Sequence, residues 1–229
     1  MPKSTRIEIV PAVLPKDFAE LGEKIDLVRG FTKVAQIDVC DGQFVPSASW
    51  PYRKEDDSFA RIISQEDGLP GWETINFEID LMANKPEEVV EEWVSAGATR
   101  IIIHAEARGD VAGAIASLAG RVEVGLAFSI DSQVPAELPA GVDFIQLMAI
   151  DHIGFQGEKF DEKVLPRIAD ARAKHPDMVI SVDGGVSLET APLLIAAGAT
   201  RLIVGSAIFN SDNYIEAIER FKKLAHDAA

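Results

Sequence analysis

Two short runs place chemically useful side chains at alternate positions. Gln36, Asp38 and Cys40 alternate in one, and Glu78, Asp80 and Met82 in the other. Alternate residues of an extended strand share a face. A third carboxylate, Asp183, ends the run Ser181-Val182-Asp183-Gly184-Gly185. If Asp38, Asp80 and Asp183 all point inward, three carboxylates meet in one mouth. Carboxylates that close repel, and at least one pKa rises. Such a cluster requires a cation, a shared proton or bound water. The competing reading turns some of these aspartates outward or uses them to cap the next helix.

A second constellation is built from glycine. Asp183-Gly184-Gly185-Val186-Ser187 and Gly205-Ser206 follow two further apolar runs. Backbone amides there, with the start of a short helix, would form a phosphate cradle without positive side chains. The simpler reading is that these glycines only make tight turns.

The elements that must position these groups are legible in the patterning. Strands are predicted at Ile7–Ala12, Val34–Val39, Ile75–Leu81, Arg100–His104, Val122–Ala127, Phe144–Met148, Val179–Val182 and Arg201–Gly205. Several are continuous apolar runs, as in strands covered on both faces. Helical spacing marks Asp17–Arg29, Pro86–Ala96, Leu188–Ala197 and Asn213–Leu224, and less sharply Asp57–Gln65, Asp110–Leu118, Ser132–Leu138 and Glu158–Lys174. Strands alternating with helices over 229 residues predict an α/β fold, a single-domain (β/α)₈ barrel spanning 1–229, with an open doubly wound sheet as the other arrangement. Gly97-Ala98-Thr99-Arg100-Ile101-Ile102-Ile103 returns as Gly198-Ala199-Thr200-Arg201-Leu202-Ile203-Val204, half a chain away, as a half-barrel repeat would place it. Pro46–Trp72 reads as a long loop plus helix after the second strand. In such barrels the active site lies at the C-terminal ends of the strands, where every residue singled out above falls.

Composition narrows the function. With 37 Asp+Glu against 22 Lys+Arg, the formal charge is −15. That excludes a basic face for nucleic acid and docking on an anionic membrane. One cysteine excludes a disulfide framework, and four histidines leave little for a histidine-rich metal centre. No targeting run opens the sequence and no stretch reaches the roughly 20 apolar residues of a membrane span. The expectation is a soluble cytoplasmic protein.

Asp38-Val39-Cys40-Asp41-Gly42-Gln43-Phe44-Val45-Pro46 resembles a run in the ribulose-phosphate 3-epimerase family, a group of (β/α)₈ barrels. Val182-Asp183-Gly184-Gly185-Val186, Gly205-Ser206-Ala207-Ile208, His104-Ala105-Glu106-Ala107 and Gly154-Phe155-Gln156-Gly157 with Phe160 match as well, in order from Pro11 to about Tyr214. The resemblance implies an isomerase of carbohydrate metabolism, in the pentose phosphate pathway, interconverting ribulose 5-phosphate and xylulose 5-phosphate. One Asp removes the C3 proton, an enediolate forms, and a second Asp returns a proton to the opposite face; the matching positions are Asp38 and Asp183. It further implies a divalent metal, a mobile loop at Gly154, Phe155, Gln156 and Gly157 closing over the substrate, phosphate held by Gly184, Gly185, Gly205 and Ser206, and a homo-oligomer.

The sequence departs from the family at the metal. Gln36 and Asp80 stand where the family has metal-binding histidines, so the implied ligands Gln36, Asp38, Asp80 and Asp183 all offer oxygen. Oxygen donors favour Mg²⁺ or Mn²⁺ over Zn²⁺ or Fe²⁺. Ala12 replaces a Ser that faces the substrate and Cys40 a Met beneath the site; with Met82 and Met148 they form the implied substrate pocket. Cys40 is expected to be a small buried strand residue rather than a nucleophile, His104 a packed strand-end residue and His152 a solvated loop residue. Other readings are a non-catalytic or weakly active sugar-phosphate-binding barrel, or an epimerase of a related hexulose phosphate. An aldolase is disfavoured because strands 4 to 7 carry no lysine for a Schiff base.

Overall fold

The apolar runs pair in parallel and in sequence order. In the computed structural model, which describes residues 6–53 and 56–228, they are β1 (Glu8–Val13), β2 (Val34–Cys40), β3 (Asn76–Met82), β4 (Ala98–His104), β5 (Glu123–Phe128), β6 (Phe144–Met148), β7 (Val179–Asp183) and β8 (Arg201–Val204). β8 pairs with β1, so the sheet is a closed barrel rather than an open doubly wound sheet. Outward side chains such as Ile37, Ile79, Ile101, Ile103 and Leu202 are fully buried under the helical ring, which is why the strands read as unbroken apolar runs.

The helices are α1 (Phe18–Val28), α2 (Ser58–Ile63), α3 (Pro86–Ser95), α4 (Val111–Leu118), α5 (Val164–Lys174), α6 (Ala191–Ala197), α7 (Ser206–Phe209) and α8 (Tyr214–Asp227). None is long and apolar enough to cross a membrane. Asp17 starts α1 by accepting from the Glu20 amide at 2.9 Å, and Leu21, Ile25 and Val28 turn its apolar stripe to the barrel.

Three expectations need correction. Ser132–Leu138 is not a helix. Pro135 and Pro139 remove backbone donors and push the residues before them out of helical geometry, so β5 joins β6 through turns. Helix α5 starts at Val164 rather than near Glu158, because residues 158–163 belong to the loop over the barrel mouth. Helix α6 starts at Ala191, three residues after Leu188: Ser187 and Thr190 spend their hydroxyls on local turn bonds. Within the Pro46–Trp72 stretch, residues 54–55 lie outside the described residues, as does the start of the N-terminal segment.

The half-chain echo has a structural counterpart. Arg100 on β4 and Arg201 on β8 hold corresponding places in the two copies, four strands apart. Both reach the same three carboxylates at the N-terminal end of the barrel. Arg100 lies 3.1, 3.5 and 2.7 Å from Glu8, Glu78 and Glu123. Arg201 lies 2.7, 3.3 and 3.5 Å from them and stacks on the Phe144 ring. This network plugs the lower end and leaves the upper end to the aspartates.

Candidate active site

Register does the positioning. β2 and β3 pair Gln36 with Glu78, Asp38 with Asp80 and Cys40 with Met82, so all six share the barrel interior. β6 and β7 pair Met148 with Asp183. One carboxylate oxygen from each of Asp38, Asp80 and Asp183 lies within 4.8 Å of the others. The inward reading of the three aspartates is therefore the observed one.

The Gln36 side chain joins two of them. Its Nε2 donates to Asp38 Oδ1 at 2.7 Å and to Asp183 Oδ2 at 2.8 Å. Only the NH₂ end of an amide can donate twice, so Gln36 turns its nitrogen to the carboxylates. Its Oε1 is buried without a partner among the described residues. Asp80 is held from the other side by His104 Nε2 at 3.0 Å, and both side chains are buried. Asp80 Oδ2 has no partner among the described residues.

The electrostatics follow from crowding. Desolvation, then the charges of Asp183 and Asp80, hold the Asp38 carboxyl well above the usual carboxylate range. Desolvation and the neighbouring Asp80 push Asp183 up to about 7. Burial would lower the His104 imidazole, but contact with Asp80 outweighs it and its pKa is raised. The free site thus keeps protons at pH values where ordinary carboxylates have lost them. Close-set oxygens, one of them an unpartnered buried carboxylate oxygen, match what a hard divalent cation requires, so Asp38, Asp80 and Asp183 could hold one.

Above them opens a cavity of about 550 Å³, counting its open mouth. Ala12, Met82 and Met148 line it beside Asp38, Asp80 and Asp183. Its rim carries Gly154, Phe155, Gln156, Gly157 and Glu158 from the β6 loop, and Gly184, Gly185, Gly205 and Ser206 from the ends of β7 and β8. Cys40 is not on this wall. It is fully buried beneath it, 3.8 Å from Met82 Sδ, and desolvation pushes its thiol up to about 12. His152 stays on the exposed loop, 3.8 Å from both Asp151 and Glu158.

The loop after β2 explains the Asp41–Pro46 run. Asp41 accepts from the Gln43 and Phe44 amides and, through its other oxygen, from the Asn84 amide after β3. This pins the loop so that the Phe44 ring packs on His104 at 5.2 Å. Ser49 Oγ donates to the Asp38 carbonyl and accepts from the Cys40 amide, both at 2.9 Å, clamping the backbone that carries Asp38. Ser47 Oγ donates to the Gly154 carbonyl at 2.6 Å, tying this loop to the one after β6. Gly185, at φ +62°, lies so close to Phe160 that a Cβ would stand 2.7 Å from its Cα. The roles of His104, Ser47 and Ser49 were not apparent in the sequence. For His104 the register supplies the placement: it lies two residues beyond Ile102, which pairs with Asp80, so alternation aims it at the cluster.

The profile of the Ribulose-phosphate 3 epimerase family matches residues 8–209. The chain is 33% identical to ribulose-phosphate 3-epimerase of Bacillus subtilis over 94% of this chain and 98% of that one. It is 30% identical to ribulose-phosphate 3-epimerase of Candida glabrata over 94% and 91%. The solved structure of 3-hexulose-6-phosphate synthase from Salmonella typhimurium superposes with a TM-score of 0.69 at 15% identity, covering 97% of this chain and all of that one, a likeness of fold alone.

Proposed function

The chain belongs to the ribulose-phosphate 3-epimerase family and is an isomerase of that type, and on that premise we propose that it inverts C3 of D-ribulose 5-phosphate to give D-xylulose 5-phosphate. The observation that carries the reading is the pair Asp38 and Asp183, on β2 and β7, three strands apart around the closed barrel yet close enough to share one amide nitrogen. The C3 hydrogen lies beside the C2 carbonyl, and its removal leaves an enediolate. One carboxylate takes that proton from one face, and the other, protonated beforehand, delivers its own to the opposite face. This division needs one ionised and one neutral carboxyl, and burial and crowding raise the pKa of both groups in the free site, so the pair holds a proton more readily than isolated carboxylates do.

A divalent cation held by Asp38, Asp80 and Asp183, Mg²⁺ or Mn²⁺ by its all-oxygen ligands, would supply positive charge beside the enediolate oxygens. Met82, Met148 and Ala12 form an apolar wall around C3 and keep water from the carbanionic carbon. The backbone amides of Gly184, Gly185, Gly205 and Ser206 take the phosphate, which suits a chain of charge −15. The Gln156 side chain lies beside Gly205 and closes the rim from the β6 loop. The test is conversion of ribulose 5-phosphate to xylulose 5-phosphate with added Mg²⁺ or Mn²⁺. Asp38→Asn and Asp183→Asn should each lower kcat by about 10²- to 10⁴-fold with folding intact. Conversion at wild-type rate by either variant would overturn the assignment.

A further inference from the structure

We propose that the Gln36 amide is the resident bridge of the carboxylate cluster, and that a divalent cation binds by displacing it rather than by taking it as a ligand. The inference deepens the cation reading above and rests on it. Three features carry it. Gln36 sits at the centre of the floor, is fully buried, and donates to both Asp38 and Asp183 at 2.7 and 2.8 Å. A bridging NH₂ group gives two carboxylates the partial positive charge that a cation would otherwise give them. The atom of Gln36 suited to ligate a metal, Oε1, turns away from both carboxylates and bonds to nothing described. Among the buried carboxylate oxygens of the cluster, Asp80 Oδ2 has no partner among the described residues, and the other oxygen of Asp80 is held by His104.

A cation bound between Asp38 and Asp183 would meet the positive end of the amide, so the two compete for one place. The consequence is a site that stays organised without an ion and binds one with reduced affinity. Each hydrogen bond to a charged group is worth enough to change an equilibrium by tenfold or more, so removing the competitor should be plainly measurable.

The experiment is calorimetric titration of Mn²⁺ into chelator-stripped wild-type protein and into Gln36→Met, which keeps the length of the side chain but cannot donate. The variant should bind Mn²⁺ about tenfold or more tightly. Equal or weaker binding by the variant overturns the proposal, because it makes Gln36 neutral or a ligand. No heat from either protein at millimolar Mn²⁺ overturns the cation reading itself, so the two failures are told apart. If Gln36→Met folds only with Mn²⁺ present, the amide is confirmed as the organiser of the free site. If it folds under neither condition, the wild-type protein labelled with ¹⁵N-glutamine decides. Two glutamine side chains, Gln36 and Gln146, are fully buried, so two amide pairs should be protected from exchange in chelator and one of the two should lose its protection on saturation with Mg²⁺. Protection that persists at both overturns the proposal.

Discussion

Asp183 carries the sharpest consequence of burial at the level of single residues. Its carboxyl titrates at about 7 in the folded protein against 3.8 when unperturbed. A carboxyl whose pKa rises on folding binds its proton more tightly in the native state. That contribution to stability is fully present below pH 3.8 and is lost as pH climbs through 7. Asp38 shifts the same way and adds to the effect. In chelator, the urea midpoint of the wild-type protein should therefore fall between pH 5 and pH 8, and the fall should shrink in Asp183→Asn. A wild-type midpoint that rises over that interval would contradict the pKa assignment. Of the candidate residues, those following the alternation rule were legible without coordinates: Gln36, Asp38, Asp80 and Met82 share the interior because a strand has a two-residue period. Cys40 shares that period, yet the chain leaves β2 there and folds over it, so it lies under the cavity wall rather than on it. The Asp80–His104 contact needed the register between β3 and β4, which no local pattern encodes.

At the level of elements, the loop after β2 acts as a brace. Trp50 anchors it between Phe18, Phe59 and Trp93 and donates through its indole nitrogen to Ser58. Ser49, one residue earlier, is thereby fixed against the backbone on both sides of Val39. Ser49→Ala leaves the buried Cys40 amide without that partner and should cost about 1 to 3 kcal/mol of stability, read from denaturant midpoints. Activity should fall by more than the loss of folded protein accounts for, since Asp38 loses its clamp. The strands were readable from sequence because burial on both faces leaves apolar runs. The segment between β5 and β6 was misread because apolar spacing in Ser132–Leu138 outweighed Pro135 within it and Pro139 just after it, whose backbone restrictions are the stronger physical statement. The late start of α5 was hidden because the mouth loop and the helix share similar polar composition.

Across the whole molecule, charge is sorted by height. The lower end of the barrel holds Glu8, Glu78 and Glu123 against Arg100 and Arg201, while the upper end holds three aspartates with no arginine paired to them among the described residues. Arg201 is 2% exposed, and its loss leaves Glu78 buried with Arg100 alone. Burial already raises Glu78 to about 7 against the pull of both arginines. Arg201→Met should therefore destabilise the protein by about 3 to 5 kcal/mol in denaturant titrations. The folded fraction should keep its kcat, because the network lies at the opposite end from the site. The two ends of the barrel thus carry two different acidic features: a structural plug below, with its charges paired, and a reactive cluster above, with fewer partners. The central claim concerns that upper cluster, and incorporation of solvent deuterium at C3 tests it most directly. Incubated with ribulose 5-phosphate and Mn²⁺ in D₂O, the wild-type protein should place deuterium at C3 as xylulose 5-phosphate forms. The Asp38→Asn, Asp183→Asn double variant should place none. Product formed without C3 deuterium, or no exchange above that double variant, would contradict the account.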